Sequence, residues 1–308
     1  MGYKFIFGPV SSRRFGSSLG IDLSPDQKSC NFDCLYCELK KAKTVRTIKN
    51  EPKPEVIINE LKRALGEFKD IDVITLTANG EPSLYSDLSS LITQINNIKT
   101  TQKSLILSNG SAVLNPNVAC SLLKLDIVKF SLDSVNPKTF RQIDRSIDQI
   151  NVNKLVELMS EFRSKFSGEL IMEVLVVAGY NDNENEFIAL NNAFKKILPN
   201  RIDISTIDRP PAHNASGVSS EILHHLATFI DAAPVNIASR MPLKSKFDYS
   251  KDELEKLLKL RPQSLYDIEN NFTTNAKINL ELLKDEGKII ECDLAGMKFY
   301  RIWKKFLI

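Results

Sequence analysis

The chain has 308 residues, of which 43% are hydrophobic and 26% are charged, with a formal net charge of +3. These values are typical of a soluble globular protein, and the length allows one large domain or two unequal ones. The charge is too small to require a nucleic-acid partner, no apolar run approaches the ~20 residues of a membrane span, and no secretory signal is visible. We therefore predict a protein of the reducing cytoplasm, without membrane partners, in which thiolates survive as metal ligands.

The first segment, residues 7–19, is rich in glycine and serine and contains the adjacent arginines Arg13 and Arg14. Glycine turns let the backbone approach a ligand closely, and a guanidinium group matches a phosphate or carboxylate. Arg13 and Arg14 are therefore candidate substrate contacts, and a polar turn before a strand is the alternative. Residues 19–23 predict that strand.

Three closely spaced cysteines follow it: Cys30, Cys34 and Cys37. Thiolates are soft ligands that suit iron–sulfur clusters, zinc or copper(I), and this spacing lets one loop place three sulfurs around one metal centre. Because Cys120 and Cys292 are far away in sequence, three protein ligands would leave one coordination position open. A zinc site completed by a distant ligand is the alternative.

A basic segment comes directly after the cysteines, with its cations at Lys40, Lys41, Lys43, Arg46 and Lys49. Such a run is usually a solvated face. Its position beside a metal-binding loop also makes an anionic substrate a hypothesis worth testing.

Strands and helices alternate in the following part of the chain. Short apolar runs predict strands at 19–23, 73–78, 104–107, 127–133, 169–177 and 201–207, and helical spacing predicts helices at 55–68, 84–97, 117–125, 151–166, 185–198 and 219–231. Strands that are each followed by a helix form a parallel sheet, and strands covered on both faces read as apolar runs. The fold class predicted is α/β, a partial (β/α)6 TIM-like barrel.

Active sites on parallel α/β folds lie at the carboxyl ends of the strands. Polar residues fall there in this chain: Asn79, Gly80, Glu81, Asn109, Ser131, Asp133, Asn181, Asp208 and Arg209. Each alone could be a helix cap, but their recurrence at successive strand ends predicts a site. His213, in the loop after Arg209, is a weaker candidate, and His224 and His225 are expected to be structural.

These motifs resemble those of the radical S-adenosylmethionine superfamily. Its signature is the same cysteine spacing with an aromatic residue, here Tyr36, before the third cysteine, and its glycine–glutamate motif resembles residues 79–82 with Asn79 in place of the usual first glycine. The resemblance implies that the three cysteines hold a [4Fe-4S] cluster and that its remaining iron binds S-adenosylmethionine. An electron donor such as flavodoxin or ferredoxin would then drive cleavage to a 5′-deoxyadenosyl radical, which abstracts hydrogen from a substrate.

The resemblance also implies a set of cofactor contacts. Tyr36 would lie near adenine, the motif at Asn79, Gly80 and Glu81 near the amino group, Asn109 in the pocket, and Ser131 and Asp133 near the ribose or carboxylate.

A narrower likeness covers roughly residues 5 to 235. Residues 8–20, 30–38, 79–82 and 208–211 resemble the group classed with wyosine synthetase, which includes the archaeal enzyme that builds wyosine in transfer RNA from 1-methylguanosine and pyruvate. That enzyme has cysteines for a second cluster, which this chain lacks. The likeness implies a nucleotide substrate in transfer RNA, and the candidate substrate contacts are Arg13, Arg14, Lys40, Lys41, Lys43, Arg209 and His213.

Residues 246–308 predict a second, winged-helix-like domain after a barrel at 1–245. Ser250 and Glu253 form a capping box for a helix to Leu260, two more helices span 264–270 and 275–286, and a hairpin joins 288–292 to 297–302. Winged helices bind nucleic acid or protein. Two alternatives therefore stay open: a radical enzyme that activates or modifies a partner protein, and a zinc-stabilised regulator. Cys120 and Cys292 are expected to be buried small residues.

Overall fold

A computed structural model describes residues 3–12, 14–147, 150–237, 246–294 and 297–303. Its main sheet has eight strands in chain order, β1 Ile6–Ser12, β2 Gly16–Asp22, β3 Val73–Thr77, β4 Lys103–Ser108, β5 Ile127–Ser131, β6 Glu169–Val176, β7 Arg201–Thr206 and β8 Val235–Ile237. Strands β2 to β8 are parallel, and β1 pairs with β2 in the antiparallel sense. The predicted α/β class is confirmed, and the sequential order of the eight strands in the sheet is consistent with a partial barrel.

Seven helices connect or flank these strands within the described residues: α1 Pro54–Glu67, α2 Leu88–Ile98, α3 Pro116–Leu122, α4 Pro137–Asp144, α5 Val152–Lys165, α6 Glu184–Ile197 and α7 Ser220–Ala227. Local signals explain where several begin. Proline, whose missing N–H is no loss in the first turn, opens α1, α3 and α4. Asparagine side chains accept hydrogen bonds from the first N–H groups of α3, α4, α5 and α6.

The structure adds elements to the predicted six-unit pattern. Residues 6–12, in a segment for which a polar turn was the alternative interpretation, form β1, because main-chain pairing with β2 rather than an apolar pattern makes this strand. The three-residue strand β8 is too short to give a sequence pattern. Helix α4 has eight residues and is largely polar, so it carries too few apolar residues for a helical pattern to be recognised, although Thr139, Phe140, Ile143 and Asp144 are buried.

The main core lies between the sheet and its helices. Leu19, Ile74, Ile106 and Val128 on neighbouring strands are fully buried, and they belong to one continuous apolar cluster that includes the inner faces of the helices. Burial on this scale is the dominant favourable term in folding. It holds the carboxyl ends of the strands, and the loops that follow them, in one fixed arrangement.

A smaller unit follows, with helices α8 Lys251–Leu260, α9 Leu265–Asn271 and α10 Thr274–Asp285 and strands β9 Gln263–Ser264, β10 Ile289–Leu294 and β11 Met297–Ile302 in the order β10-β11-β9. We call residues 246–303 the C-terminal module. The predicted capping box of Ser250 and Glu253 is confirmed. The module has its own apolar cluster, and the Tyr249 hydroxyl donates a 2.7 Å hydrogen bond to the carbonyl of Pro9 in β1.

Two further expectations are settled by burial and helix length. Cys120 is exposed, so its predicted burial is wrong, because it lies on the outer side of α3; Cys292 is partly buried. Among the described residues, no helix combines the length and the apolar character needed to cross a membrane.

Candidate active site

The loop that carries the three cysteines is attached to the end of β3. The Ser29 N–H donates to the Asn79 carbonyl at 2.8 Å, and the Glu81 N–H donates to the Ser29 carbonyl at 2.9 Å. Between them Gly80 has φ 140° and approaches so closely that a Cβ atom there would lie 1.9 Å from the Ser29 oxygen. Glycine is therefore required at position 80 by both conformation and space.

The other side of the cysteine loop is held by residues 143–147 and 212–213. The Leu35 N–H donates to the Ile143 carbonyl at 2.8 Å, and the Ala212 N–H donates to the Cys37 carbonyl at 2.7 Å. Nε2 of His213 lies 2.8 Å from Oδ1 of Asp33. The structure therefore places His213 against the side chain of Asp33 in the cysteine loop, and His213 is not among the residues that line the cavity described below.

The three thiols lie in a partly buried, hydrogen-bonding environment. The Lys28 ammonium is 3.2 Å from Sγ of Cys37, the Phe32 N–H is 3.4 Å from Sγ of Cys30, and Sγ of Cys34 is 3.7 Å from Oδ1 of Asp144. Burial raises the pKa of the Cys30 thiol to about 12 and that of Cys34 well above its usual value. Both thiols are therefore protonated in the metal-free chain and must release a proton when they bind metal.

The arrangement of the thiols bears on the kind of metal centre that they could hold. Across the part of the chain that the structure describes, no three His, Cys, Asp or Glu side chains converge closely enough to hold a single metal ion. A four-iron cluster is larger than one ion, so its thiolates stand farther apart. Three soft sulfur ligands on one loop, each lining the same cavity, are a ligand set that suits an iron–sulfur cluster.

Glu81 links the ends of β3 and β4. Its carboxylate is 2% exposed and accepts hydrogen bonds from the N–H groups of Asn109 at 2.8 Å and Ser83 at 3.0 Å. Burial raises its pKa, and the hydrogen bonds act in the opposite sense. The Asn109 amide in turn donates to Asn31 in the cysteine loop at 2.8 Å and lies 3.9 Å from Sγ of Cys30. Two predicted site residues thus connect the strand ends to the cysteine loop.

Tyr36 and Asp133 contact each other. The tyrosine hydroxyl donates to Oδ2 of Asp133 at 2.5 Å, and the Leu175 N–H donates to Oδ1 at 2.8 Å. Asp133 is 1% exposed, and burial raises the pKa of its carboxyl to about 7. Burial and the nearby Asp133 also raise the pKa of Tyr36 well above its usual value.

One cavity of about 590 Å³ brings most of the predicted site together. Its walls include the three cysteines and, of the expected cofactor contacts, Tyr36, Gly80, Glu81, Asn109 and Ser131. Asn79 and Asp133 are not among its lining residues and lie behind the wall. Such a cavity has the size and mixed lining of a small-molecule site.

An ion cluster that the sequence did not predict contributes Arg14, Lys129 and Glu173 to the wall of the cavity. Lys129 on β5 lies 2.6 Å from Glu173 on β6 and 3.3 Å from Asp203 on β7. Arg14 lies 2.7 Å from Glu173 and 3.3 Å from Asp203. Burial acts to raise the pKa of both carboxyls, but Lys129 and Arg14 hold each below its usual value. Arg14 therefore reaches the cavity with its charge already balanced.

The remaining predicted substrate contacts are separated in space. Arg209 lines the cavity, whereas Lys40, Lys41 and Lys43 are exposed and lie outside its lining. Arg13 lies outside the described residues. A signal for the missed ion cluster is present in the sequence, since Lys129, Glu173 and Asp203 each interrupt an apolar strand.

Comparison with known proteins agrees with this geometry. The profile of the Radical SAM superfamily matches residues 25–190. The UPF0026 protein of Helicobacter pylori strain J99 is 39% identical over 298 residues, which cover 96% of each chain. The UPF0026 protein of Methanocaldococcus jannaschii is 28% identical over 309 residues, which cover 96% of this chain and 94% of that protein.

Among solved structures, Streptococcus suis SuiB bound to S-adenosylmethionine superposes with a TM-score of 0.56 at 14% identity, covering 72% of this chain and 50% of that one. At 14% identity, the similarity to this structure shows a shared fold. The profile match, which covers more than half of the chain, shows that this chain belongs to the radical SAM superfamily, whose members use a [4Fe-4S] cluster and S-adenosylmethionine.

Proposed function

We propose that Cys30, Cys34 and Cys37 hold a [4Fe-4S] cluster and that the adjoining cavity binds S-adenosylmethionine together with a substrate. The observation that carries this proposal is the single cavity lined by all three thiols and by residues from several strand ends. When bound, the cluster and S-adenosylmethionine supply one-electron cleavage chemistry that yields a 5′-deoxyadenosyl radical. An electron donor such as flavodoxin or ferredoxin and a cytoplasmic site of action belong to the same proposal.

The chain itself positions these groups and keeps water away from them. The backbone at Gly80, next to the thiols, offers close approach to the amino group of S-adenosylmethionine. Asn109 and Ser131 present amide and hydroxyl groups to the cavity. Asp133 supports Tyr36 from behind the wall through their hydrogen bond, so its role is to position the aromatic ring.

We propose further that the substrate is a nucleotide in transfer RNA. The likeness of residues 8–20, 30–38, 79–82 and 208–211 to the wyosine-synthetase group supports this. So does the exposure of Lys40, Lys41 and Lys43 directly after the cysteine loop, where they can follow RNA phosphates.

The C-terminal module supports the same proposal. Its described elements run helix, short strand, two helices, hairpin, which is the order of a winged-helix domain, and we propose domains at 1–245 and 246–308. Winged helices bind nucleic acid or protein. A protein partner for this module is the competing outcome of the experiments below.

Anaerobic reconstitution tests the chemistry. The wild-type chain, loaded with iron and sulfide and then given dithionite and S-adenosylmethionine, should produce 5′-deoxyadenosine. Cys34→Ala should abolish the product, whereas the exposed Cys120→Ala should behave as wild type. Equal yields from wild type and Cys34→Ala would end the proposal, and one zinc per chain without acid-labile sulfide would favour the zinc-stabilised regulator.

A separate experiment tests the substrate. Modified nucleosides in transfer RNA should differ between wild-type and deletion cells, and the difference should disappear on complementation with the wild-type chain but not with Cys34→Ala. Identical nucleoside profiles, together with a stoichiometric co-purifying protein, would replace the RNA substrate by a partner protein.

A further inference from the structure

Part of the cavity lies along the inward faces of β5 and β6, away from the strand ends. Lys129 and Ser131 on β5, and Glu173 and Leu175 on β6, line it, so alternate residues of both strands face the same way. Lys129 comes two residues before the end of β5, and Glu173 comes three before the end of β6. At about 3.3 Å per residue, these two positions lie roughly 7–10 Å along the strands from their carboxyl ends. The cysteine loop, in contrast, is attached to residues 79–81, beyond the end of β3.

The charges around Lys129 and Glu173 balance one another. Three cations and three carboxylates form one network of ion pairs: Arg14, Lys129, Arg201, Glu169, Glu173 and Asp203. Asp203 is fully buried, and of the three carboxylates it is Glu173 that lines the cavity. A charged ligand group would upset this balance inside the barrel, where an uncompensated charge is costly, whereas a neutral polar group would not.

One oxygen of Glu173 is left to accept a hydrogen bond from a ligand. The hydrogen bonds from Arg14 and Lys129 both end on Oε1, and in the part of the chain that the structure describes none ends on Oε2. The side chain keeps 26% of its surface exposed and lines the cavity. Because Lys129 and Arg14 hold the pKa of Glu173 below its usual value, the carboxylate is ionised at neutral pH and acts only as an acceptor.

Lys129 places a hydrogen-bond donor beside this acceptor. Its ammonium group has three N–H donors. One donates to Oε1 of Glu173 at 2.6 Å, and a second can serve Asp203, which lies 3.3 Å away. The third is left for the cavity that Lys129 lines. A neighbouring acceptor and donor complement a ligand edge that carries one donor and one acceptor side by side, as the Watson–Crick edge of a nucleobase does.

We infer that Glu173 and Lys129 bind the hydrogen-bonding edge of a nucleobase inside the barrel, Glu173 accepting through Oε2 and Lys129 donating through Nζ. The inference rests on the proposed nucleotide substrate, and it adds which part of the nucleotide enters the barrel and which side chains hold it. The Glu173 carboxylate repels phosphate, so the phosphates of the same substrate stay outside. There Lys40, Lys41 and Lys43 are exposed beside the cysteine loop.

Nucleoside binding to the cluster-loaded chain tests the inference by equilibrium dialysis with adenosine, guanosine, cytidine and uridine. Saturating S-adenosylmethionine keeps adenosine out of the cofactor's own place. At least one nucleoside should bind saturably, one per chain, and inorganic phosphate should not compete with it. Glu173→Gln should weaken this binding at least tenfold, as expected for the loss of a charge-assisted hydrogen bond. Glu169→Gln removes an ion-paired carboxylate from the same strand, outside the cavity lining, and should bind as wild type.

Two results would overturn the inference: no saturable nucleoside binding by the wild-type chain, or equal binding by Glu173→Gln and wild type. Binding of N-acetylglycinamide in place of the nucleosides would also overturn it, because the bound edge would then be a peptide amide. So would a loss of affinity for S-adenosylmethionine in Glu173→Gln with nucleoside binding intact, because the carboxylate would then hold the cofactor.

Iron content and urea unfolding show whether each variant is folded and loaded. If Glu173→Gln is not, Lys129→Met, which removes the donor, decides by the same tenfold criterion. A chain that forms 5′-deoxyadenosine but binds no nucleoside would end this inference and leave the radical chemistry standing. Nucleoside binding that depends on Glu173, without formation of 5′-deoxyadenosine, would do the reverse.

Discussion

The hydroxyl of Tyr36 donates a 2.5 Å hydrogen bond to Oδ2 of Asp133. The bond connects the aromatic residue of the cysteine loop to the end of β5. Two residues expected to contact S-adenosylmethionine independently thus act as one unit, with the tyrosine facing the cavity and the aspartate behind it. The position of the ring depends on the carboxyl group, and so does part of the pH dependence of folding.

Asp133→Asn should change how stability depends on pH. Burial raises the pKa of Asp133 from 3.8 to about 7, so the folded chain holds this proton more tightly than the unfolded chain. Its stabilising contribution is complete below pH 3.8 and is lost as the pH rises through about 7. Relative to Asp133→Asn, the wild-type free energy of unfolding should therefore fall between pH 4 and 7. Urea unfolding of the cluster-free chains would show this, and parallel curves would contradict it.

Gly80→Ala should damage both stability and metal loading. The new Cβ would lie 1.9 Å from the Ser29 carbonyl oxygen at a residue with φ 140°, so the cysteine loop must move away from β3. We expect a loss of about 2–5 kcal/mol in the free energy of unfolding and a lower iron content after reconstitution.

Gly66→Ala is the matched control for that change. Gly66 lies in α1 with no atom within 4 Å of the added Cβ, and alanine there should stabilise the helix by about 0.5–1 kcal/mol. A similar effect of the two substitutions would show that the loop does not depend on close approach at Gly80.

Lys28→Met should make the cluster harder to reduce. The Lys28 ammonium lies 3.2 Å from Sγ of Cys37, and a positive hydrogen-bond donor at a sulfur ligand stabilises the reduced, more negative state. We expect the reduction potential of the cluster to fall by tens of millivolts. A redox titration in which the cluster is monitored by electron paramagnetic resonance measures this shift. The exposed Lys62→Met in α1 is the control, and a potential that Lys28→Met leaves unchanged would exclude this tuning role.

The triple substitution of Lys40, Lys41 and Lys43 by alanine should weaken binding to transfer RNA and flatten its salt dependence. If each lysine contacts one phosphate, the slope of log affinity against log salt should decrease by about 2 to 3. A matched triple, Lys62, Lys69 and Lys103 to alanine, removes the same charge from exposed positions away from the cysteine loop and should bind almost as wild type. Equal losses from both triples would mean that net charge, not this segment, drives binding.

The parallel sheet was predictable because strands covered on both faces, such as β3 and β5, read as apolar runs. The cysteine loop was predictable because its ligands are contiguous in sequence. In contrast, the pairing of Lys129 with Glu173 and Asp203 depends on the register of three strands that are distant in sequence. The hydrogen bond from Arg209 to the carbonyl of Pro262 depends on how the C-terminal module packs, for which no local pattern exists.

Position at a strand end was likewise easier to predict than the direction of a side chain. Glu81 and Asp133 were both expected near the cofactor. Glu81 lines the cavity while its carboxylate accepts hydrogen bonds from backbone N–H groups, whereas Asp133 lies behind Tyr36. A period-2 pattern gives the face of a strand residue but not that of a loop residue just beyond it.

The attachments of the cysteine loop to β3, to residues 143–147 and to Ala212 are all made without the three thiol groups. Loss of iron to oxygen would therefore remove the metal without dismantling the loop that holds it. We expect a chain damaged in this way to be repaired in place, since new iron and sulfide meet three thiols that are still assembled. The slow step of repair is then the release of protons from the buried thiols, because the loop does not have to refold.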